Sequence, residues 1–452
     1  MNDEKVFLIG FWLSGILTLN IHAEPPTISP FRWLEDYSYL SEKETLNSYE
    51  QIKFLPLQGD AYLSLGGSVR ERLNVFGNDR FGLLPIEDDG NIFLQRILLH
   101  GDLYINEHFR TFVEFGSYLN FTHEIQSGPF DENNMDLAQA FADLSLANYR
   151  LRVGRQHISL GSARLVSLRN GPNVRQNFDG IRVDSEIFGG DITLLATYET
   201  EIKKYAFDDD ADYDSSLWGV YTTWDYGLTK ADFYYLGTYR GNRVYTQGSA
   251  NETRHSLGSR LFGKQGAWDW NYEFIYQLGD FGNADISAWT VATINGYTFE
   301  RLPWSPRVEL SMNIASGDDD PNDNELNTFN PLFPKLPYFE EASVLVPQNF
   351  FNVDPAVTLH PLKSLSVKLD WNLFWRLEDE EAVYSRGLRP LPGTANQSGN
   401  FVAHVPSIYI KYQLNRYLAF DLTYSHFFAG GVITDAGGDD IDFGMVSVTW
   451  SF

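Results

Sequence analysis

Six arginines in the middle of the chain are accompanied by no acidic residue and no lysine. They are Arg150, Arg152, Arg155, Arg164, Arg169 and Arg175, and Asp179 and Arg182 follow closely. A planar guanidinium binds a carboxylate through two hydrogen bonds and stays charged at any working pH. Fixed positive charges grouped in this way select anions. The stretch therefore predicts a path or binding surface for anions.

The elements that position these arginines alternate with a period of two from about residue 60 to the end. Trp270, Tyr272 and Phe274 fall on one parity, whereas Asn271 and Glu273 fall on the other. Successive side chains of a strand point to opposite faces, so each segment has one apolar and one polar face. This pattern fits a β-sandwich with its apolar faces inside, or a transmembrane barrel with apolar faces toward lipid and a polar lumen.

The lengths of the connections favour the barrel. Candidate strands begin near residues 60, 91, 110, 136, 150, 178, 190, 217, 231, 252, 268, 286, 304, 349, 365, 401, 417 and 442. Connections after even-numbered strands are short, at 106–108, 147–149, 187–189, 225–227, 265–266, 361–363 and 415–416. Most connections after odd-numbered strands are long, at 76–90, 119–135, 157–177, 199–216, 240–251, 316–348, 377–400 and 428–441.

An even number of strands with alternating short and long connections is typical of bacterial outer-membrane barrels. We predict an all-β, antiparallel transmembrane barrel of about 18 strands over residues 59–452, with short periplasmic turns and long extracellular loops. The last strand ends on the aromatic Phe452. Soluble domains usually end in polar, frayed residues, so this ending also favours a barrel.

The N-terminus predicts export. Lys5 precedes an apolar run that continues to about Leu19, and Ala23 precedes Glu24 and two prolines. This is the pattern of a secretory signal over residues 1–23. Residues 24–58 are predicted to be a periplasmic N-terminal segment with a short helix from Ser41. Whether this segment plugs the barrel, lies under it or contacts a periplasmic partner stays open.

Composition excludes several classes of function. The 452 residues carry 34 Lys+Arg against 60 Asp+Glu, a net charge of −26, which would repel nucleic acid. The absence of cysteine removes thiolate nucleophiles and cysteine-ligated zinc. We predict no cofactor and no metal site. Weak calcium candidates are Asp210, Asp212, Asp318 and Asp320 in predicted external loops, but Ser215 stands where an EF-hand requires glycine. A solvated acidic rim is the favoured interpretation of these acids.

Charge pairing is the alternative interpretation of the arginines. Further arginines on lumen-facing parity are Arg70, Arg72, Arg96, Arg110, Arg254, Arg260, Arg307 and Arg376. Nearly as many acids share that parity, namely Asp102, Glu114, Asp143, Asp184, Glu273, Glu309 and Asp370. Pairs between the two sets would only neutralise charge inside a barrel. The stretch without acids favours an anion path, and Arg155 would join that path only if a bulge near Gly154 turned it inward.

Several motifs resemble the alginate-export family of outer-membrane porins. The most specific are VGRQHISLGSARLV at 153–166, NGPNVR at 170–175 and FDGIR at 178–182. Similar segments are RWLEDYSYL at 32–40, IKFLPL at 52–57, LSLGGSVRER at 63–72, ASGD at 315–318, FNPLFP at 329–334 and FWR at 374–376. The resemblance covers nearly the whole chain after the predicted signal.

The resemblance implies passive export of an anionic, alginate-like polysaccharide through an arginine-lined constriction gated by in-folded loops. The constriction role falls on Arg96, Arg152, Arg155, Arg164, Arg169, Arg175, Arg182 and Arg376, with Asp179 as an orienting partner. The expected partners are outer-membrane lipid, lipopolysaccharide, the polysaccharide, the barrel assembly machinery and periplasmic export proteins. A monomer is expected.

Three alternatives to export remain. The chain could be a general or small-anion uptake porin, a non-conducting structural barrel, or a secreted polysaccharide-active enzyme. An enzyme of that kind needs a positioned base, commonly histidine or tyrosine. The nine histidines are scattered and form no H-E-x-x-H or similar spacing. We therefore predict a protein without enzymatic activity.

Overall fold

Eighteen long strands make up most of the chain. A computed structural model describes residues 26–85, 89–122, 128 and 130–452, so the predicted signal at 1–23 lies outside the described residues. The long strands in the described part are β1 (Tyr62–Gly77), β2 (Gly90–Tyr104), β3 (Phe109–Asn120), β4 (Asn133–Leu146), β5 (Tyr149–Gln156), β6 (Phe178–Ile187), β7 (Gly190–Glu201), β8 (Asp210–Asp225), β9 (Thr229–Tyr245), β10 (Gly248–Gln265), β11 (Trp268–Phe281), β12 (Ala284–Thr298), β13 (Arg307–Ala315), β14 (Phe350–Leu362), β15 (Leu365–Trp375), β16 (Phe401–Gln413), β17 (Leu418–Ala429) and β18 (Ile441–Ser451).

Every long strand pairs antiparallel with the next, and the sheet closes on itself. The seam joins β1 to β18 with an unbroken register from Ser68 opposite Ser451 to Gly77 opposite Asp442. Closure leaves no free sheet edge, so the backbone of the wall is satisfied internally. The predicted antiparallel barrel of about 18 strands is confirmed.

The other elements of the described part are short. They are α1 (Ser48–Lys53), α2 (Gly431–Asp435), 3₁₀ turns at Arg32–Leu34, Ser38–Glu42 and Asp79–Gly82, and two-residue strands at Leu55–Pro56, Glu325–Leu326, Tyr384–Ser385 and Arg389–Pro390. Two of them, Leu55–Pro56 and Glu325–Leu326, pair with wall strands β1 and β12. The helix predicted from Ser41 begins instead at Ser48, because Asn47 and Glu50 form the capping box. No helix in the described part is both long and apolar enough to cross a membrane.

Two of the predicted long connections are mostly strand. The connection predicted at 199–216 shrinks to 202–209, because β8 begins at Asp210 and pairs with β7 as far as Glu201. The connection predicted at 240–251 shrinks to residues 246–247, because β9 and β10 pair as far as Tyr245 and Gly248. These strands continue past the apolar belt, the part of the wall whose outward side chains are apolar, and their ends are polar although the backbone is still paired. Sequence alternation therefore marks the belt and not the ends of the strands.

The outward face of the wall is apolar. Leu99, Val153, Leu257 and Phe274 are among many large apolar side chains that stay exposed. Monomeric soluble proteins rarely expose contiguous apolar surface on this scale, whereas a lipid-facing barrel requires it. The wall therefore has the surface predicted for a transmembrane barrel.

The lumen contains an apolar core that the alternating pattern does not predict. Three connections fold inward from the end of the barrel that carries the longer loops. We call residues 157–177, 316–349 and 376–400 the first, second and third inward loops. Their buried side chains include Val166, Phe329, Phe333, Val344, Tyr384 and Leu391. Aromatic side chains of the long connections thus pack inside the barrel.

Placing arginine on the outward face should destabilise the barrel according to depth. Leu257 lies midway along β10 and is 50% exposed. Leu257→Arg should lower the free energy of unfolding in lipid vesicles by ~2–4 kcal/mol, because a charge enters the apolar belt. The control Gln265→Arg shares its parity but lies at the end of β10, and should cost ~0–1 kcal/mol. Equal losses in urea titrations would contradict a lipid-facing belt.

Candidate functional site: the constricted lumen

The first and second inward loops join across the lumen. Val166 forms a bridge to Phe333, and the Ser167 amide donates to the Phe333 carbonyl at 2.9 Å. The Gly171 amide donates to the Leu336 carbonyl at 3.1 Å. A β-carbon at Gly171 would lie 2.5 Å from that carbonyl, so only glycine permits this approach. We call residues 163–171 and 333–336 the lumen partition.

A cavity of about 910 Å³ lies between the lumen partition and residues 28–32 of the N-terminal segment. Among the described residues, ten cationic side chains line it: Arg32, Arg70, Arg72, Arg96, Arg164, Arg175, Lys335, Lys368, Lys411 and Arg416. The described carboxylates that line it number six: Glu114, Glu309, Glu340, Glu341, Asp354 and Asp421. The described lining therefore carries an excess of positive charge, although the whole chain is strongly acidic.

Four arginines of the cavity contact the tip of the first inward loop, and one of them, Arg72, pairs with Glu341; the other three are Arg70, Arg96 and Arg175. Arg70 donates to the carbonyls of Asn170, Gly171 and Pro172 at 2.9–3.0 Å. Arg96 and Arg175 each donate to the Asn170 side-chain oxygen at 3.0 Å. In the described part of the chain, no carboxylate lies within 4 Å of these three guanidinium groups. The three positive charges are thus held by neutral oxygens alone.

Other predicted arginines are neutralised by acids, as the charge-pairing alternative requires. Arg152 binds Asp143 through two hydrogen bonds of 2.7 Å and stacks on Trp33 and Phe141. Arg164 pairs with Glu273 at 3.1 Å, although it also lines the cavity. Arg182 pairs with Asp184 at 2.7 Å and does not line the cavity. Charge pairing therefore accounts for these three arginines.

Arg155 and Asp179 lie on the outer side of the wall. They stand opposite each other in register, on the same parity as the exposed Val153 and Ile181. The register passes through Gly154 without a shift, so no bulge turns Arg155 inward. Arg155 binds Asp179 through two hydrogen bonds of 2.9 and 3.0 Å. The structure therefore places this pair away from the lining of the cavity.

The two remaining predicted arginines anchor loops. Arg169 donates to the carbonyl of Pro334 at 3.2 Å and to the side chain of Gln176 at 3.0 Å. Arg376 donates to the carbonyls of Thr394, Gln397 and Gly399 in the third inward loop. Both side chains are buried and neither lines the cavity. Of the predicted arginines, Arg96, Arg164 and Arg175 meet at the cavity.

The N-terminal segment closes the other end of the cavity. Arg32 donates to the Gly67 carbonyl at 2.9 Å and to the Phe452 carbonyl at 2.6 Å. The carbonyl of Pro30 accepts a hydrogen bond from Arg175 at 3.3 Å, which ties this segment to the arginine cluster. Trp33 of the same segment is buried against Arg152 of β5. These contacts place residues 30–33 inside the barrel, and a plugging role for the segment stays a prediction.

Comparison with known proteins decides the family. The sequence matches the family model described as alginate export over residues 61–447. The chain belongs to the alginate export family. No curated protein matches it. Together with the closed wall, the match makes the chain an outer-membrane β-barrel porin of this family.

Solved structures of similar fold come from Pseudomonas aeruginosa and Acinetobacter baumannii. Pseudomonas aeruginosa OccK11 (OpdR) shares 13% identity over 86% of this chain and 96% of that chain, with a TM-score of 0.58. Acinetobacter baumannii OccAB3 shares 9% identity over 86% and 99%, with a TM-score of 0.60. Pseudomonas aeruginosa OccK3 (OpdO) shares 14% identity over 86% and 95%, with a TM-score of 0.58. At these identities the likeness shows the fold alone.

Several cavity residues of this alginate export porin are missing from the predicted site. Arg70 and Arg72 have lumen-facing parity and lie in the motif at 63–72, so the sequence contains a signal for them. Lys335 and Glu341 lie in an irregular loop, where no periodicity indicates their direction. Arg32 reaches the lumen only because the N-terminal segment folds back into the barrel.

The predicted calcium candidates do not meet. Asp210 and Asp212 belong to β8 and not to a loop. Asp318 is buried, whereas Asp320 accepts a hydrogen bond from the Asn322 amide within its own turn. In the described ranges, neither pair is joined by a third acidic or histidine ligand close enough to share an ion.

The inward loops should loosen as pH rises. Glu381 is buried, accepts hydrogen bonds from Thr328 and Tyr384, and joins the second and third inward loops. Burial raises the pKa of Glu381 to about 8. Because this pKa exceeds its unfolded value, the group's stabilising effect is complete below about pH 4 and is lost as pH rises through about 8. Single-channel current fluctuations should therefore increase from pH 6 to pH 9.

The matched variants separate this group from general pH effects. Glu381→Gln should remove most of the increase, because its side chain does not titrate in this range. Glu380→Gln, at an exposed neighbouring position, should respond like the unaltered protein. An unchanged pH response in Glu381→Gln would refute the role of this carboxyl.

Proposed function

We propose that this porin carries anionic polysaccharides or oligosaccharides, of the alginate type, passively through its lumen. The observation that supports the proposal is the cluster of Arg70, Arg96 and Arg175 around the tip of the first inward loop. These guanidinium groups face a cavity with excess positive charge and are held by neutral oxygens alone. A carboxylated sugar is the ligand that such a cluster favours. No chemical step is required, so the proposed role is that of a channel and not of an enzyme.

The loop tip occupies the positions that a carboxylate would take. The carbonyls of Asn170, Gly171 and Pro172 accept hydrogen bonds from the same guanidinium groups that would hold the ligand. Charge-assisted hydrogen bonds to a carboxylate are about twice as strong as those to a neutral carbonyl. An entering anion therefore competes with the tip for Arg70 and Arg96, and success in that competition widens the passage.

The opposite lining carries acids that limit how tightly an anion is held. Glu340, Glu341, Asp354 and Asp421 line the same cavity. Arg72 donates to the Gly171 carbonyl at 3.0 Å and also pairs with Glu341 at 3.1 Å, so an acid offsets the charge of one guanidinium at the loop tip. Conduction requires binding that is favourable enough to admit the ion and weak enough to release it. Acids facing the arginines meet the second requirement.

A small-anion uptake porin is the second candidate function. The observation in its favour is the lumen partition, because the two joined loops cross the lumen and leave less room for a polymer than for a small anion. The two candidates differ in what an oligomer does to the current. Alginate oligomers should block and then cross the channel if polymers are the substrate. They should leave chloride current unchanged if only small anions enter.

Neutralising the cluster should weaken anion selectivity. The double variant Arg96→Gln/Arg175→Gln removes two positive charges from the cavity wall. The chloride-to-potassium permeability ratio, taken from reversal potentials in a salt gradient, should fall by roughly two- to tenfold, because the local positive potential decreases.

The control for this variant is Arg301→Gln, which removes a charge from an exposed residue between β12 and β13. Its permeability ratio should equal that of the unaltered porin. The proposal fails if the double variant keeps the original ratio. Cleavage of alginate by the purified porin would instead support the enzymatic alternative.

Releasing the N-terminal segment should increase conductance. Arg32→Ala/Trp33→Ala removes the contacts with the seam and the packing against Arg152. The open-channel conductance should rise, because residues 28–32 no longer close the cavity. Lys43→Ala, at an exposed position of the same segment, should leave the conductance unchanged. Equal conductance in all three proteins would show that the segment does not obstruct the passage.

A further inference from the structure

Three carboxylates meet where the connection between β7 and β8 folds onto the start of β4. One oxygen from each of Asp136, Asp208 and Asp209 lies within 4.8 Å of the other two. The connection is held there by backbone hydrogen bonds, from the Asn134 amide to the Lys204 carbonyl at 2.9 Å and from the Phe207 amide to the Met135 carbonyl at 2.8 Å. The meeting is therefore part of the fold and not a chance approach of surface side chains.

A buried amide contacts the same cluster and has an unused oxygen. Asn133 is fully buried, and its side-chain nitrogen donates to Asp209 Oδ2 at 2.8 Å. Its Oδ1 has no hydrogen-bond partner, and neither does Asp208 Oδ1, which is also buried. Leaving a buried acceptor without a partner costs about 1–3 kcal/mol. One amide oxygen beside the three carboxylates and one oxygen of those carboxylates therefore lack a partner, as expected of a cation site.

Protein cations compensate only part of this charge. Arg155 lies 3.5 Å from Asp136 but makes its two short hydrogen bonds to Asp179. Lys203 pairs with Glu201 and Asp210, and Lys204 pairs with Glu132. Among the described residues, the cluster thus keeps an excess of negative charge that these side chains do not offset.

We propose that Asp136, Asp208, Asp209 and Asn133 bind one calcium ion at the long-loop rim of the barrel. All four donors are oxygens, which is the donor type that calcium prefers. Ligand separations up to 4.8 Å suit calcium–oxygen distances of about 2.3–2.6 Å, whereas magnesium demands about 2.0–2.1 Å in a near-ideal octahedron. The ion fastens the connection at 202–209 to β4 and is independent of the anion path.

Calcium titration of the full-length porin tests the site. The protein is stripped with EDTA in detergent and titrated with calcium chloride in a calorimeter. We expect saturable binding of one ion per chain and a calcium-dependent rise of the unfolding temperature. Asp208→Asn/Asp209→Asn should weaken binding by more than ~10-fold, because two anionic ligands are lost. The matched control Asp210→Asn/Asp212→Asn removes the same charge two residues away and should bind as the unaltered protein does.

A third variant separates coordination from simple charge screening. Asn133→Ala leaves the charge unchanged and removes one proposed ligand, so it should also weaken binding. The heat-dependent mobility shift on detergent gels verifies that each variant is folded. Absence of saturable binding by the unaltered porin would overturn the proposal. Equal losses in both aspartate pairs, full binding by Asn133→Ala, or equally tight magnesium binding would overturn it too.

Discussion

Inside a lipid bilayer no water is available to the backbone, so each strand of this porin must pair on both edges. The first and last strands meet that requirement because β18 pairs with β1 and closes the wall. Closure then sorts the side chains, because alternate residues face lipid or the lumen. The apolar belt, the inward arginines and the fixed diameter of the passage all depend on this one constraint.

The lumen is too wide for the wall's own side chains to fill, and three inward loops occupy much of it. Their apolar residues pack as in a soluble core, while buried charges are met by acids or by loop carbonyls. An unpaired buried charge is costly, so arginines such as Arg152 and Arg376 have specific partners. Arginines such as Arg152 and Arg376, whose partners lie in the wall or in a loop, stabilise the fold, whereas other arginines face the cavity.

The wall could be predicted from sequence because lipid imposes a strict period of two on it. Strand number and most strand positions follow from that period. The starts of β8 and β10 do not, since Asp210 and Gly248 lie beyond the apolar belt, where pairing continues without an apolar face. Parity also explains why Arg96 is correctly assigned to the lumen. The same parity rule assigns Arg155 to the outer face, and the strand has no bulge at Gly154 that would turn this side chain inward.

The site itself was predictable only in part. Arg164 and Arg175 belong to motifs of the family, but their directions depend on how the first inward loop folds, and no local pattern encodes that fold. Arg169 and Arg175 both lie in the stretch without acids, so the sequence does not show that Arg175 lines the cavity and Arg169 does not. Asp136 and the pair Asp208 and Asp209 are far apart in sequence, and only the folded connection between β7 and β8 brings them together.

The two carbonyls that receive Arg32 belong to opposite sides of the seam, Gly67 on β1 and Phe452 after β18. Neither half of this binding site exists in its final position until the first and last strands have met. Arg32 can therefore make both hydrogen bonds only in a closed barrel. In a barrel whose first and last strands have not paired, Arg32 lacks this pair of acceptors, so contact of the N-terminal segment with the seam is coupled to closure of the wall.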